Sequence, residues 1–276
     1  MSTIDERIFF FSGSKKRMLL GFLHLPTSTF RRTGIIFCHP FADEQNFSHR
    51  VIVETARAFA RQGFPVLRFD MSGCGDSDGE LGDVTINDWI EDIKKAIAVY
   101  KMETKLNHYI LWGLRLGAGL ALVYAARYGT DCPLILWQPV INFSDYIKKF
   151  FRKKFTTQIS DVSGGRFSVS KLINELYDQG IVYVIGYQIT TKLYKSFIDI
   201  SQNHLMSVSD CPKLLLSISL MEYPSILMKR YADLLKTQKS AFQFQHVTTD
   251  SFWDRYWRWK CPEVQAATMK WLEKMF

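Results

Sequence analysis

With 276 residues, the chain is long enough for one large α/β domain with a substantial buried core. Its 47% hydrophobic and 22% charged content is that of a globular protein and argues against disorder, collagen or a coiled coil. The formal charge of +8 leans toward an anionic partner: an acidic polymer, an acyl or phosphate group, a membrane surface or nucleic acid.

Two short strands are expected at residues 7–11 and 18–25, joined by the turn-rich Ser12-Gly13-Ser14. Strand and helix then alternate. Residues 35–39 form a compact apolar run, residues 48–62 have helical spacing closed by Gly63, and 65–70 is the next strand, followed by a glycine-rich loop. Ile86, Trp89, Ile90, Ile93 and Ile97 make one stripe of a helix over 85–100. A strand at 108–112, a helix at 116–128 and a buried strand at 134–137 come next. Short apolar strands separated by helices imply a mainly parallel sheet covered on both faces. The alternation stops at Asn142 and resumes with a strand at 213–220, a helix at 225–235, a strand at 241–247 and a helix at 263–274. The mixed, basic stretch between, about 142–210 with one strand at 181–186, reads as a cap inserted between the sixth and seventh sheet strands of a single domain.

The strand at 108–112 runs into its helix through Gly113-Leu114-Arg115-Leu116-Gly117. In α/β-hydrolases this junction reads Gly-x-Ser-x-Gly, a sharp turn that lifts a nucleophilic serine above the sheet. The flanking glycines are steric: the central residue is strained, and side chains two positions away would collide with neighbouring chain. Gly113 and Gly117 keep that role while Arg115 takes the centre. A guanidinium stays protonated and has no lone pair to attack with. It also sits at a helix amino terminus, where negative charge is favoured, so it needs water, a carboxylate or a bound anion. Arg115 is read either as an anion-binding group at the pocket floor or as half of a salt bridge plugging a dead site.

The other triad positions are equally altered. The loop after the last strand, Val247-Thr248-Thr249-Asp250-Ser251-Phe252-Trp253, holds Phe252 where an acid/base histidine is expected. His246 falls in the strand, and Glu222 lies near the usual acid position with no histidine to orient. His39-Pro40-Phe41 follows the first long parallel strand, where hydrolases place a backbone N–H donor for the oxyanion, and Leu116 would supply a second. Candidate ligand-binding residues are therefore Arg115, Leu116, His39 and Phe41, with His39 or Glu222 as candidate acid/base. The loop from Asp70 to Ser77 fits Asp-x-x-Gly-x-Gly-x-Ser and not a dinucleotide fingerprint.

Several strings resemble one bacterial group. These are His39-Pro40-Phe41-Ala42-Asp43-Glu44, Gly73-Cys74-Gly75-Asp76-Ser77, Leu111-Trp112-Gly113-Leu114-Arg115-Leu116-Gly117-Ala118 and Leu136-Trp137-Gln138-Pro139-Val140, with Gly186-Tyr187 and Phe252-Trp253. They are similar to the α/β-hydrolase-fold proteins found beside exosortase-A and exopolysaccharide gene clusters, the type with arginine at the elbow. The resemblance implies the architecture firmly, and a hydrolase by fold rather than by demonstrated activity.

Lys148, Lys149, Arg152, Lys153 and Lys154 surround Phe150, Phe151 and Phe155; the cluster could hold an acidic polysaccharide, a protein partner or an anionic bilayer, or be the solvated face of an amphipathic helix. Trp253, Trp257 and Trp259 with Arg255 and Arg258 could stack on a sugar or pack on the last helix. The five cysteines, Cys38, Cys74, Cys132, Cys211 and Cys261, are odd in number and lack a Cys-x-x-Cys pair, which disfavours zinc and a disulfide framework. With an apolar run in the first 14 residues too short for a secretion signal, a reducing, cytoplasmic compartment is expected. The expected ligand is an anionic or acylated small molecule or a saccharide. No cofactor or metal is expected, and nucleic acid is the least favoured partner.

Overall fold

The computed structural model describes residues 3–157, 168–200, 210–237, 240–254 and 260–276; the side chains of 155–157 are not described. Among the described residues eight strands form one sheet: β1 (Ile4–Ser12), β2 (Met18–Pro26), β3 (Thr33–Cys38), β4 (Val66–Phe69), β5 (His108–Leu114), β6 (Leu134–Trp137), β9 (Lys213–Ser219) and β10 (Phe242–Thr248). Their spatial order is β1-β2-β4-β3-β5-β6-β9-β10. β1 and β2 pair antiparallel and β2 meets β4 antiparallel; every pairing from β4 to β10 is parallel. Between β6 and β9 a short antiparallel hairpin, β7 (Ile181–Val184) and β8 (Tyr187–Thr190), stands apart from the sheet.

The central strands are apolar on both faces because both faces are covered. Ile36, Leu111, Leu136 and Leu215 face α2 (Ile86–Thr104) and α3 (Leu116–Tyr128). Ile35, Phe37, Ile110, Trp112, Ile135 and Trp137 face α1 (Asp43–Arg61) and the last helix, α8 (Pro262–Met275). One residue's shift along β3 or β5 swaps the two sets, so register is fixed by burial. The chain between β6 and β9 supplies α4 (Phe143–Thr157), α5 (Val169–Gln179), the hairpin and α6 (Thr191–Ile198), and α7 (Ile226–Lys236) follows β9. Thr190 Oγ1 donates to Gly82 O at 2.7 Å and Ile86 N donates to Ser196 Oγ at 3.1 Å, tying the insert to the loop before α2.

Three differences from the sequence reading have physical causes. Helix α1 begins at Asp43, five residues before the periodic stripe, because Asp43 and Glu44 occupy its first turn, where the dipole favours acid. Helix α2 runs four residues past Tyr100 and stops at Lys105, which adopts φ 59°. The strand expected at 181–186 is a hairpin turned by Ile185 (φ 45°) and Gly186 (φ 89°), the positive angles a two-residue turn requires. Among the described residues no helix is long and apolar enough to cross a membrane.

Candidate functional site

β3 and β5 are neighbours in the middle of the sheet, with Cys38 opposite Gly113, so the segments leaving them meet at one sheet edge. That edge, at the carboxyl ends of parallel strands, is where ligands bind in open α/β sheets. Arg115 sits between β5 and α3 with φ 54° and ψ −116°, a conformation that costs an L-residue about 1–3 kcal/mol. It persists because its surroundings leave no alternative. A Cβ on Gly113 would strike Ala118 N, and one on Gly117 would strike the carbonyl oxygen of Cys38. Arg115 N donates to Trp137 O at 3.0 Å, while Arg115 O accepts from Val140 N at 3.0 Å and Gly119 N at 3.2 Å.

The guanidinium is held by a carboxylate. Arg115 Nε donates to Glu44 Oε1 at 3.2 Å, and Nη1 lies 3.5 Å from Gln138 O. Tyr146 Oη donates to the other carboxylate oxygen, Glu44 Oε2, at 2.9 Å. The Arg115 Cζ also lies over the rings of Trp253 and Tyr146, at 5.4 and 5.7 Å, in cation–π range. Burial pushes the Glu44 carboxyl up, against the pull of Arg115 and of the Tyr146 hydroxyl. Burial, the largest single effect, would lower the Arg115 pKa, but the Glu44 charge together with Tyr146, Asp254 and the hydrogen bond to Glu44 outweighs it, so the guanidinium stays cationic. The Tyr146 hydroxyl, buried and facing a carboxylate, is held well above its usual range and keeps its proton.

A cavity of ≈ 120 Å³ opens above this pair, lined by Phe41, Glu44, Arg115, Tyr146, Lys149, Phe150, Lys153 and Asp254. A second, of ≈ 180 Å³, adjoins Arg115 on its far side and reaches Asp145, Ser225, Leu227 and Met228. Both are smaller than the several hundred Å³ typical of a drug-sized site. Phe41 anchors the roof: its ring packs against Phe150 at 5.0 Å, Phe197 at 5.6 Å, Trp89 at 5.9 Å and Tyr146 at 6.3 Å. Lys153 Nζ reaches Asp43 Oδ2 at 3.3 Å, bracing α4 against the start of α1.

The structure brings some of the expected residues together and leaves others aside. Arg115 and Phe41 line the cavity; the Leu116 side chain is buried, and its amide opens α3, where the first N–H groups have no partner inside the helix. His39 is buried edge-on against Phe37, ring centroids 4.7 Å apart, and lines neither cavity. Neither of its ring nitrogens has a hydrogen-bond partner among the described residues, and burial holds its pKa well below 6.5. Glu222 is exposed on the loop after β9 and lines neither cavity. His246 bonds through both ring nitrogens, to Ser217 Oγ at 3.2 Å and Met221 O at 2.8 Å, within and just beyond the last two strands.

Two aromatic side chains of the loop after β10 are buried. Phe252 is fully buried against Trp137, ring centroids 6.2 Å apart, and Trp253 packs beside it at 5.1 Å. Arg255, Trp257, Arg258 and Trp259 lie outside the described residues. The Cys38 thiol is raised by burial far out of reach of neutral pH, and that of Cys74 is pushed up to about 12, so neither offers a thiolate. The basic cluster divides: Lys149 and Lys153 line the cavity, Arg152 is exposed, and Phe150 and Phe151 are buried.

Glu44, Tyr146 and Asp254 are the residues that sequence reasoning missed. Glu44 is positioned from the glycine-rich loop: Gln45 Nε2 donates to Asp70 Oδ1 at 3.0 Å, and Asp70 Oδ2 accepts from Asp76 N at 3.2 Å. A Cβ on Gly75 would strike that carboxylate. The acid pair Asp43-Glu44 directly after His39-Pro40-Phe41 was the available sign that a carboxylate starts the helix facing Arg115.

A family model described as serine aminopeptidase, S33, matches residues 31–179. A 105-residue stretch is 35% identical to the uncharacterized 31.7 kDa protein in the traX-finO intergenic region of Escherichia coli, covering 37% of this chain and 36% of that protein. A 96-residue stretch is 32% identical to the mitochondrial palmitoyl-protein thioesterase ABHD10 of Mus musculus, covering 32% and 31%. The chain thus spans about a third of the length of these curated relatives. Two solved structures are similar over nearly their whole length. Est1E from Butyrivibrio proteoclasticus with bound ferulic acid has a TM-score of 0.66 at 16% identity, over 97% of this chain and 99% of that one. The alpha/beta hydrolase domain-containing protein 10 from mouse has a TM-score of 0.62 at 17% identity, over 98% and 100%. At these identities the structural likeness is one of fold. The family match covers more than half of the sequence, and the chain belongs to the serine aminopeptidase S33 family of α/β-hydrolases.

Proposed function

We propose that Arg115 occupies the nucleophile's seat of a degenerate triad, and that the protein binds a small anionic or acylated group under a cap formed by the chain between β6 and β9. The observation that carries this reading is the Arg115–Glu44 pair in the strained turn between β5 and α3. A permanently charged guanidinium cannot attack a carbonyl. Phe252 and Trp253, buried in the loop after β10, leave that loop without an imidazole to take a proton. Lys149 and Lys153 bring cations to the cavity, the latter shared with Asp43 and with Asp254 also in the lining, and the Leu116 amide opens α3 at the same sheet edge. A carboxylate, a phosphate or the carbonyl end of an acyl chain suits that volume and charge. The resemblance to proteins of exosortase-A and exopolysaccharide clusters supports a ligand from that chemistry, and the cysteine pattern supports a cytoplasmic setting.

Incubation with a fluorophosphonate probe and with activated aryl esters is the direct test. No serine should be labelled and no ester turned over above the uncatalysed rate; labelling at any serine would overturn the reading.

A second reading rests on the likeness to a palmitoyl-protein thioesterase and on the Glu44 carboxyl, whose pKa burial raises beside Arg115. In it, water attacks the carbonyl of an ester or thioester, Glu44 takes its proton, Arg115 stabilises the oxyanion, and Glu44 returns the proton to the departing alcohol or thiol as the acyl C–O or C–S bond breaks. His39 and Glu222 do not reach the cavity, so neither serves as that base. This reading requires measurable turnover that Arg115→Ala abolishes while the circular dichroism spectrum is unchanged.

A further inference from the structure

The loop after β9 and the first turn of α7 carry an apolar surface that the cavity does not account for. Leu220, Met221, Tyr223, Ile226 and Leu227 are 65%, 71%, 72%, 73% and 54% exposed. Single exposed apolar side chains are ordinary, but five large ones within eight consecutive positions make a patch of the kind that marks an interaction site. Pro224 and Ser225, the latter accepting from Met228 N at 3.3 Å, fix the turn that projects them.

We propose that this segment docks the protein on an anionic lipid bilayer, its apolar side chains entering the headgroup region. Charge selects that occupant. Lys229 and Arg230 are exposed on the same helix, and Lys149 on α4 lines one cavity with Leu227 and Ser225. Against these stand Glu222 inside the patch, Asp145 at the cavity and Asp233 further along α7, the last paired with Lys236 at 3.1 Å. An apolar knob flanked by Lys149, Lys229 and Arg230, on a chain of formal charge +8, matches the two attractions of an interfacial surface: buried area and anionic headgroups. A second copy of the chain fits less well, because a two-fold contact through this patch would bring the same cations face to face. The patch is also continuous with the cavity that adjoins Arg115, through Leu227 and Met228. Docking would set that opening at headgroup depth, and it does not depend on whether the cavity binds or turns over anything.

Co-sedimentation of the whole chain with vesicles tests this. The protein should pellet with phosphatidylcholine vesicles containing phosphatidylglycerol, much less with phosphatidylcholine alone, and less as salt is raised. The triple variant Leu220→Ser, Met221→Ser, Ile226→Ser should bind at least about tenfold more weakly, because the buried apolar area is lost. Its substitutions are at exposed positions outside the cavity linings, and circular dichroism checks the fold. A second variant, Lys229→Glu with Arg230→Glu, should lose the preference for phosphatidylglycerol. Failure of the wild type to pellet, equal binding by the triple variant, or equal binding to both lipids overturns the proposal. So does a lipid-free dimer, seen by analytical ultracentrifugation, that the triple variant dissolves.

Discussion

Arg115 and Glu44 depend on each other in opposite senses. The arginine side chain is 22% exposed and keeps partial contact with water; the glutamate side chain, at 6%, does not. Removing the arginine therefore strands the carboxylate. Arg115→Ser should cost about 2 kcal/mol in urea unfolding, less than the loss on breaking a wholly buried pair. The same variant should gain no ester hydrolysis, since the loop after β10 brings Trp253, and no imidazole, beside residue 115. Glycine at 113 and 117 and arginine at 115 were legible in the sequence because each acts through its own covalent structure. Glu44 was not. Its role is set by a contact across 71 positions, and helical periodicity starts the helix at residue 48, one turn too late to bring it into view.

At the level of elements, the parallel strands were legible because a strand buried on both faces reads as an unbroken apolar run, as at Ile35, Ile36 and Phe37. The hairpin of β7 and β8 was read as one strand because its turn, Ile185-Gly186, carries an apolar first residue that masks it. The junction of β5 and α3 makes the most direct test at this scale. Gly117→Ala places a methyl group against the Cys38 carbonyl, backbone that cannot move without disturbing β3 and β5 together. It should lower stability by about 3 kcal/mol or more, or abolish folded expression, as read by thermal unfolding. Gly129→Ala is the control: nothing lies within 4 Å of an added Cβ there, and only the φ of 57° at that helix end is strained, for a loss of about 1 kcal/mol.

For the whole molecule, the charge balance says less than its placement does. His24 lies 2.7 Å from Glu6 through Nδ1 and accepts from Arg68 Nε at 3.0 Å through Nε2, which defines a neutral ring. Burial, with the nearby Arg68 charge, lowers its pKa from 6.5 to about 4. A histidine lowered on folding lends stability above its unfolded pKa and loses it as the pH falls through the folded one. Global stability should therefore decline between about pH 6.5 and pH 4, by about 3 kcal/mol at most from this group. His24→Gln should flatten that part of the urea-midpoint profile; the buried His39 pulls in the same direction and accounts for a remaining slope.

The packing of Phe252 on Trp137 reaches further than the loop that carries it. Trp137 Nε1 is bonded to Thr268 Oγ1 of α8 at 3.0 Å, so the phenyl ring belongs to the seam that fastens the final helix to the sheet. Installing histidine there would ask that seam to take in a polar ring with no partner in place. On the proposed reading, two substitutions would be needed before any trace of hydrolysis could be selected, and the second loosens the carboxyl-terminal helix first. On that reading the interior itself acts as a ratchet against any return of hydrolysis.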